Sequence, residues 1–306
     1  MRWDLRRGLC SWVRRAARGA GLGLLATLAT IPLPAARIAA ATPKTAPKST
    51  PTAKPLSQRS ARLECVQGIP WQTFDRETRE EVQQLTKAGT IFRRMPAQVI
   101  PCDPRLFAFM LENPELLVNI WDVMGISKVA MTRTGPNEYT ASDGAGTNCS
   151  LRVLHRGQDL HIVLADGVYE GPAFPKAIRG RCLLVLRSAS LQETDGREYI
   201  TARLDAFIDF DQVGLDLIAK TLQPWIGRIA DYNFSETIGF VGSLSRTAEV
   251  NPLGVQRLST RLNRVDPAVS ARFGELSLDI ARLAAERQTS NEVARLARVP
   301  GASGGN

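Results

Sequence analysis

The stretch DPRLFAFMLENPELLVNIWDVMGISKVAM, residues 103–131, predicts two short consecutive helices and the start of a strand. Asp103-Pro104 combines an N-cap with a proline at the first helical position, and Asn113-Pro114 repeats the same signal. Apolar side chains follow each start at helical spacing, and Gly125 marks the end of the second helix. This stretch therefore predicts two helices that lead directly into the first of a series of strands.

Downstream, the apolar pattern changes to a period of two, which predicts β-strands. The connections between the strands are two to ten residues long, too short for crossover helices, so neighbouring strands should pair antiparallel. A turn is expected at Asp166-Gly167. The predicted strands are Lys128 to Arg133, Glu138 to Ser142, Cys149 to His155, Leu160 to Ala165, Val168 to Phe174, Arg181 to Ser188 and Tyr199 to Ile208.

Helices are predicted on both sides of these strands. Residues 73–88 predict a polar helix, and residues 91–100 a strand that Pro96 places at an edge of the sheet. From Asp211 to about Leu244, apolar residues recur at steps of three and four, with Pro224 expected to kink or restart the helix. Two more helices are predicted to follow, at 252–264 and 267–286.

The order of one strand, two short helices, antiparallel strands and one long apolar-faced helix resembles the START-like, polyketide-cyclase-like helix-grip superfamily. The opening at 103–131 and the long helix GLDLIAKTLQPWIGRIADYNFSETIGFVGSL, residues 214–244, carry the resemblance, which spans about residues 91–248. It implies an α+β fold, in which a curved antiparallel sheet grips a long C-terminal helix. The extra helices on both sides depart from the family and could plug the cavity or form a partner surface.

The resemblance also implies an apolar cavity between the sheet and the long helix, which often holds a lipid or another hydrophobic ligand. Aromatic residues at such positions are alternatively ordinary core anchors. The stripe at Leu215, Ile218, Leu222, Trp225 and Ile229 should face the sheet. The cavity candidates are Trp121, Tyr169, Leu222, Trp225, Ile229 and Tyr232.

The formal charge of +9 in 306 residues is confined to the N-terminus. Residues 1–55 contain ten Lys or Arg and one acid, Asp4, whereas residues 56–306 contain 29 basic and 29 acidic residues. A neutral body offers no basic groove, so nucleic acid is not an expected partner.

The N-terminus predicts export. Arginines precede an apolar run at 19–31, and Ala39 to Ala41 follow it, which is the order of a secretory signal cleaved near Ala41. A membrane anchor, a twin-arginine route through Arg14-Arg15 and a mitochondrial transit peptide are the alternatives. The predicted organisation is a signal peptide or anchor at 1–41, a disordered Pro/Thr/Lys-rich linker at 42–60, the α+β domain at 61–250, a helical extension at 251–287 and a flexible tail at 288–306.

Four cysteines follow the predicted leader, an even number that suits an oxidising compartment. The favoured pairing joins Cys65 to Cys102 and Cys149 to Cys182, while the alternative keeps all four as small buried thiols. With two histidines, His155 and His161, and no Cys-x-x-Cys motif, no metal site is expected.

No catalytic residues are assigned. A carboxylate buried beside a tyrosine would suit acid–base chemistry, and the candidates are Asp231 next to Tyr232, Glu170 next to Tyr169, and Asp205 in a strand that would line the cavity. More simply, Asp231 faces solvent or caps a break in the helix, and Glu170 pairs with a nearby arginine. No nucleophile triad, paired-carboxylate motif or phosphate loop is present, so no cofactor is expected.

The sequence thus predicts an exported, periplasmic or otherwise extracytoplasmic protein that binds a hydrophobic small molecule or lipid without transforming it. The second hypothesis is an envelope or scaffold module, with a filled core and extra helices that bind an envelope protein. A cyclase- or hydrolase-like enzyme is the third. Membrane contact is expected only through an uncleaved leader.

Overall fold

The computed structural model describes residues 58–88, 91–172, 177–211 and 215–297, with side chains at 58–87, 91–172, 177–211 and 227–293. The predicted leader at 1–41 and the linker as far as residue 57 lie outside the described residues. The helices are α1 (Gln58–Gln67), α2 (Arg76–Ala88), α3 (Pro104–Glu112), α4 (Pro114–Val123), α5 (Leu215–Val250), α6 (Pro252–Ser259) and α7 (Pro267–Ala297). The strands are β1 (Ile91–Arg94), β2 (Gln98–Pro101), β3 (Ala130–Gly135), β4 (Glu138–Ser142), β5 (Thr147–Arg156), β6 (Leu160–Tyr169), β7 (Ile178–Gln192) and β8 (Glu198–Phe210).

All eight strands form one antiparallel sheet in the order β1-β8-β7-β6-β5-β4-β3, with β2 also pairing with β8. The strands from β3 to β8 are neighbours in sequence order, which confirms the meander predicted from the short connections. The α+β fold class is therefore confirmed: a curved antiparallel sheet packs against a long C-terminal helix.

The sheet has two buried faces, because alternate side chains along each strand point to opposite sides. The inner face packs against α5, through a core that includes Ala206, Ile208 and the α5 residue Phe234. The outer face packs against α1 and α2, in a second core that includes Leu164, Leu183, Phe207 and the helix residues Ala61, Cys65, Val82 and Leu85. Helices thus cover both sides of the sheet.

The C-terminal extension builds a third core, with helices only. Phe273 and Ile280 of α7 pack with Leu106 of α3, Leu116 of α4 and Leu244 of α5, and no strand residue belongs to the cluster. Asn119 of α4 fastens the arrangement, because its side-chain oxygen accepts hydrogen bonds from the backbone N–H groups that precede α7, at 3.0 and 3.1 Å. Among the described residues, the core of the extension is therefore built from helices, while Arg287 and Asn291 of α7 donate hydrogen bonds to the turn between β7 and β8.

Several predicted boundaries differ from the structure. Helix α1 begins at Gln58, inside the predicted linker at 42–60, and α7 continues to Ala297, inside the predicted tail at 288–306. The expected turn at Asp166-Gly167 is wrong, since these residues pair with Ser150 and Cys149 within β6. The separate strand predicted from Val168 is also wrong, because β6 simply continues to Tyr169.

The long helix is continuous from Leu215 to Val250, so Pro224 does not restart it. Helix α6 ends at Ser259, earlier than the predicted 264. No described helix is long and apolar enough to cross a membrane.

Candidate functional site

The inner face of the sheet is covered unevenly. Helix α5 lies over β1, β2 and β8, where Ser235 donates to Gln98 at 3.3 Å and Gly242 lies against Ile100. Helix α4 lies against β3, at the opposite edge of the same face. We call the inner face of β5, β6 and β7 between these two helices the inner trough.

Exposure of the side chains shows that the described residues do not fill the inner trough. Val163 of β6 and Leu184 and Leu186 of β7 are only partly buried, although they lie in the middle of the sheet. Their neighbours on the outer face of the same strands, among them Leu164 and Leu183, are completely buried. The inner trough is thus an apolar surface that the described residues cover only in part.

One end of the inner trough is closed by a contact between α4 and α5. The rings of Trp121 and Phe240 meet edge to face, with their centroids 6.0 Å apart. Trp121 is 4% exposed, and its indole Nε1 has no hydrogen-bond partner among the described residues. Asn233 of α5 is also 4% exposed, and its amide nitrogen likewise has no described partner.

The α5 residues predicted to face the sheet or the cavity differ in their burial. Ile229 is half-buried, next to Ala230 and Phe234, which pack on the sheet. Tyr232 is 46% exposed, so placing it in the cavity was wrong: two residues from Ala230 is about 200° around a helix, which turns the side chain outward. The side chains of Leu215, Ile218, Leu222 and Trp225 lie outside the described residues.

Tyr169 lies at the end of β6, on the face that Ala165 shares by the alternation of the strand, and is 9% exposed. Its ring packs over Gly171, where an added Cβ would lie 2.3 Å from the tyrosine hydroxyl. A side chain at position 171 would therefore require the ring of Tyr169 to shift.

The two aspartates considered for acid–base chemistry are both held by arginines. Asp231 of α5 accepts two hydrogen bonds from Arg93 of β1, one of them at 2.9 Å. Asp205 lies on the outer face, remote from the inner trough, where it is paired with Arg94. For Asp231 the structure thus shows an ion pair where solvent exposure or a helix cap was expected, and Glu170 is exposed.

The four cysteines in the described part of the chain are free thiols, so the predicted disulfides are wrong. Cys149 pairs with Gly167 of β6, and Cys182 with Ala165. Because β6 lies between them, their Cα atoms are about 9–10 Å apart, too far for a disulfide. Cys65 and Cys102 belong to cores on opposite faces of the sheet.

The histidines do not form a site together. His155 pairs with Ile162, and His161 with Arg156, so the imidazoles point to opposite faces of the hairpin. Burial and the nearby Arg156 lower the pKa of His161. No group of His, Cys, Asp or Glu in the described parts of the chain could hold a metal ion.

The outer face carries a groove that sequence analysis missed. It has a volume of about 580 Å³ and lies over β3 to β7, beyond the cover of α1 and α2. Burial raises the pKa of Asp166 in this groove. The alternation of polar and apolar residues in β3, β4 and β5 was the available signal. The polar lining includes Thr132, Thr140, Ser142, Asn148, Ser150, Asp166, Arg179, Arg181 and Asp211.

No protein-family model matches the chain, and no curated protein matches it. Among solved structures, the chain is similar to a conserved protein from Geobacillus kaustophilus, at 10% identity and a TM-score of 0.39, over 52% of this chain and 97% of that one. It is similar to Ara h 8.0201, at 13% identity and a TM-score of 0.26, over 47% of this chain and 99% of that one. It is also similar to truncated norcoclaurine synthase from Thalictrum flavum, at 8% identity and a TM-score of 0.29, over 48% and 94%.

Proposed function

We propose that the protein binds a hydrophobic small molecule or lipid in the inner trough, without chemical transformation. The observation that carries the proposal is the contrast between the two faces of the same strands. Leu183 is completely buried, whereas Leu184, the next residue, is only partly buried on the inner face. Water against aliphatic side chains is unfavourable, at about 25 cal/mol per Å² of apolar surface, so a ligand that displaces it gains affinity.

The positions of the acidic groups support binding without catalysis. Asp231 lies next to the inner face but is neutralised by Arg93, through two hydrogen bonds to the guanidinium. Asp205 is on the other side of the sheet. A general acid or base needs to reach its substrate, and both Asp231 and Asp205 are engaged in ion pairs.

The rival hypothesis is an envelope or scaffold module that binds a protein and no small molecule. Helices α6 and α7 would supply the partner surface, because their core is built with other helices, outside the two cores of the sheet. The two hypotheses differ in one property, namely whether purified protein takes up an apolar ligand.

The experiment is ligand detection in two forms. Native mass spectrometry and organic extraction of the purified protein should reveal a co-purifying lipid or other apolar compound. The fluorescent apolar probe N-phenyl-1-naphthylamine should bind to protein from which the compound has been extracted. A folded protein that carries nothing and binds no probe would refute the proposal and leave the scaffold hypothesis.

We also propose that the protein is exported, with the leader removed near Ala41. The support is the order of basic, apolar and small residues in the first 41 positions. N-terminal sequencing of the protein from a periplasmic or extracytoplasmic fraction should give a start close to Thr42. An intact Met1 in that fraction would show an uncleaved anchor, and a cytosolic protein would refute export.

A further inference from the structure

The groove on the outer face is lined by a continuous row of polar side chains, one from each strand between β3 and β7. All five residues of the row line the groove. Neighbouring strands are about 4.8 Å apart, so the row extends over about 19 Å across the sheet. The strand register places its members opposite one another in the order Thr132, Thr140, Ser150, Asp166 and Arg181.

The row lies in a concavity of the size that small molecules occupy. The volume of about 580 Å³ falls within the range of about 300–1,000 Å³ that is usual for ligand sites. Two residues beyond Ser150 on β5, Arg152 forms an ion pair with Glu81 of α2. Helix α2 therefore reaches the outer face next to the groove.

The side chains in the middle of the row are available to a ligand. Among the described residues, none forms a hydrogen bond with the side chain of Thr140, Ser150 or Asp166. Asp166 is partly buried, and this burial raises the pKa of its carboxyl group. A carboxylate that has lost part of its water and has no partner is stabilised by a hydroxyl donor.

The charges that line the groove balance one another. Arg181 lies opposite Asp166 in the register of β6 and β7. The backbone N–H of Asp211 donates to the backbone oxygen of Arg179 at 3.2 Å, so the second arginine also adjoins an aspartate. The lining thus contains two aspartates and two arginines. Such a groove favours a neutral polar ligand over an ion of either sign.

We propose that this groove binds a neutral oligosaccharide, which lies along the polar row across the strands. A sugar hydroxyl both donates and accepts hydrogen bonds, so it pairs with a carboxylate, a guanidinium or another hydroxyl. Sugar hydroxyls donate to Asp166, accept from Arg181 and pair with the hydroxyls of Thr140 and Ser150. One sugar ring is shorter than the row, so the ligand contains at least two. The groove and the inner trough lie on opposite faces of the sheet, and the inference is independent of the proposed function.

The first experiment compares neutral and charged disaccharides by saturation-transfer-difference NMR. The neutral probes are maltose, cellobiose, lactose and N,N′-diacetylchitobiose, and the charged probes are chitobiose in its ammonium form and digalacturonate. At least one neutral disaccharide should bind more tightly than both charged ones. Its affinity should change less than about twofold between about 50 and 500 mM NaCl, because salt screens only charged ligands. Binding of no neutral disaccharide, or tighter binding of a charged one, would overturn the inference.

The second experiment removes single hydroxyls from the row. Thr140→Val and Ser150→Ala should each weaken binding of the best neutral disaccharide by about threefold to tenfold, the value of one hydrogen bond. Thr201→Val is the matched control. Thr201 is an exposed residue of β8, on the same face as Phe207 by the alternation of the strand, and it does not line the groove. Its replacement should leave the affinity unchanged.

The variants also separate this inference from the proposed function. If Thr140→Val and Ser150→Ala bind the disaccharide as the wild-type protein does, or if Thr201→Val weakens it equally, the saccharide binds elsewhere and the inference is wrong. N-phenyl-1-naphthylamine should bind equally to all three variants, because none of them alters the inner trough. A wild-type protein that binds the disaccharide but no apolar ligand would refute the proposed function and support the saccharide site.

Discussion

Arg94 and Asp205 face each other in the register of β1 and β8 and form a two-point ion pair, with N–O distances of 2.7 and 2.8 Å. The side chain of Asp205 is 1% exposed and that of Arg94 is 11% exposed. Arg94 also donates to Glu64 of α1 at 2.7 Å and to the backbone oxygen of Ala61 at 3.1 Å. One guanidinium therefore joins two strands and a helix on the outer face.

Replacing this arginine should destabilise the protein strongly. Arg94→Met leaves the carboxylate of Asp205 buried without its counter-ion, which should lower the free energy of unfolding by about 3–5 kcal/mol. Urea denaturation at pH 7 measures the change. The double variant Arg94→Met, Asp205→Leu should recover most of the loss. Arg76→Met, which removes an exposed ion pair with Glu80, should change stability by less than about 0.5 kcal/mol.

Two adjacent leucines test the inner trough. Leu183→Ala, on the filled outer face, should cost about 2–5 kcal/mol, because it removes a completely buried side chain and leaves a hole. Leu184→Ala should cost less than Leu183→Ala, since the partners of a half-buried side chain are already partly missing, and it should change the affinity for N-phenyl-1-naphthylamine. Equal costs, with unchanged probe binding, would indicate a filled core on both faces.

The pH dependence of stability should contain a contribution from His161. Its pKa is lowered by burial and by Arg156, so the unfolded chain binds this proton more readily than the folded one. Stability is therefore lost as the pH falls below the ordinary histidine value of about 6.5. His161→Gln should flatten the dependence between about pH 5 and 7 in chemical denaturation. His155→Gln, on the opposite face of the hairpin, is the control and should keep the decline.

The four thiols should react slowly in the native protein. Burial raises the pKa of Cys149 to about 11 and that of Cys102 to about 12, so very little of the reactive thiolate exists at neutral pH. Titration with an aromatic disulfide reagent should find little fast reaction in the folded protein. In denaturant without reductant, all four cysteines after the leader should react. Absence of free thiols in denaturant would restore the disulfide hypothesis.

A glycine between β4 and β5 should be irreplaceable. Gly146 has a φ of +113°, and an added Cβ would lie 2.6 Å from the backbone oxygen of Glu170. Gly146→Ala should therefore cost about 1–3 kcal/mol from backbone strain, with the steric clash in addition. Gly144 also has a positive φ, but an added Cβ there would meet no atom within 4 Å. Gly144→Ala therefore introduces backbone strain without a clash, and it should lower the free energy of unfolding by less than Gly146→Ala in thermal or urea denaturation. Similar losses for the two variants would show that the contact is unimportant.

Local sequence signals predicted the main helices and strands well where a signal is compatible with only one local structure. Asp103-Pro104 and Asn113-Pro114 stand at the starts of α3 and α4, as expected. The period-two pattern predicted the meander, because short connections permit only antiparallel neighbours. These features depend on residues that are close in sequence.

The features that were missed depend on contacts between distant segments. Helix α1 is mostly polar and buries only Ala61 and Cys65 on the outer face, too few side chains for an amphipathic pattern. Asp166-Gly167 has the composition of a turn, but cross-strand pairing on both sides keeps it extended. The unpaired donors of Trp121 and Asn233 could not be found in the sequence, since only the folded chain shows which polar groups lack partners.

The pairing of β1 with β8 has a consequence for how the chain folds. It joins Ile91 to Ile208. The consecutive residues Arg93 and Arg94 then form ion pairs with α5 on the inner face and with α1 on the outer face. The contact of Arg93 with Asp231 cannot form until α5 has emerged, and closing so long a loop is slow. The pairing of β1 in the sheet and its contact with α5 should thus form late in synthesis. A chain threaded through a membrane channel in the proposed export would meet no barrier from premature folding.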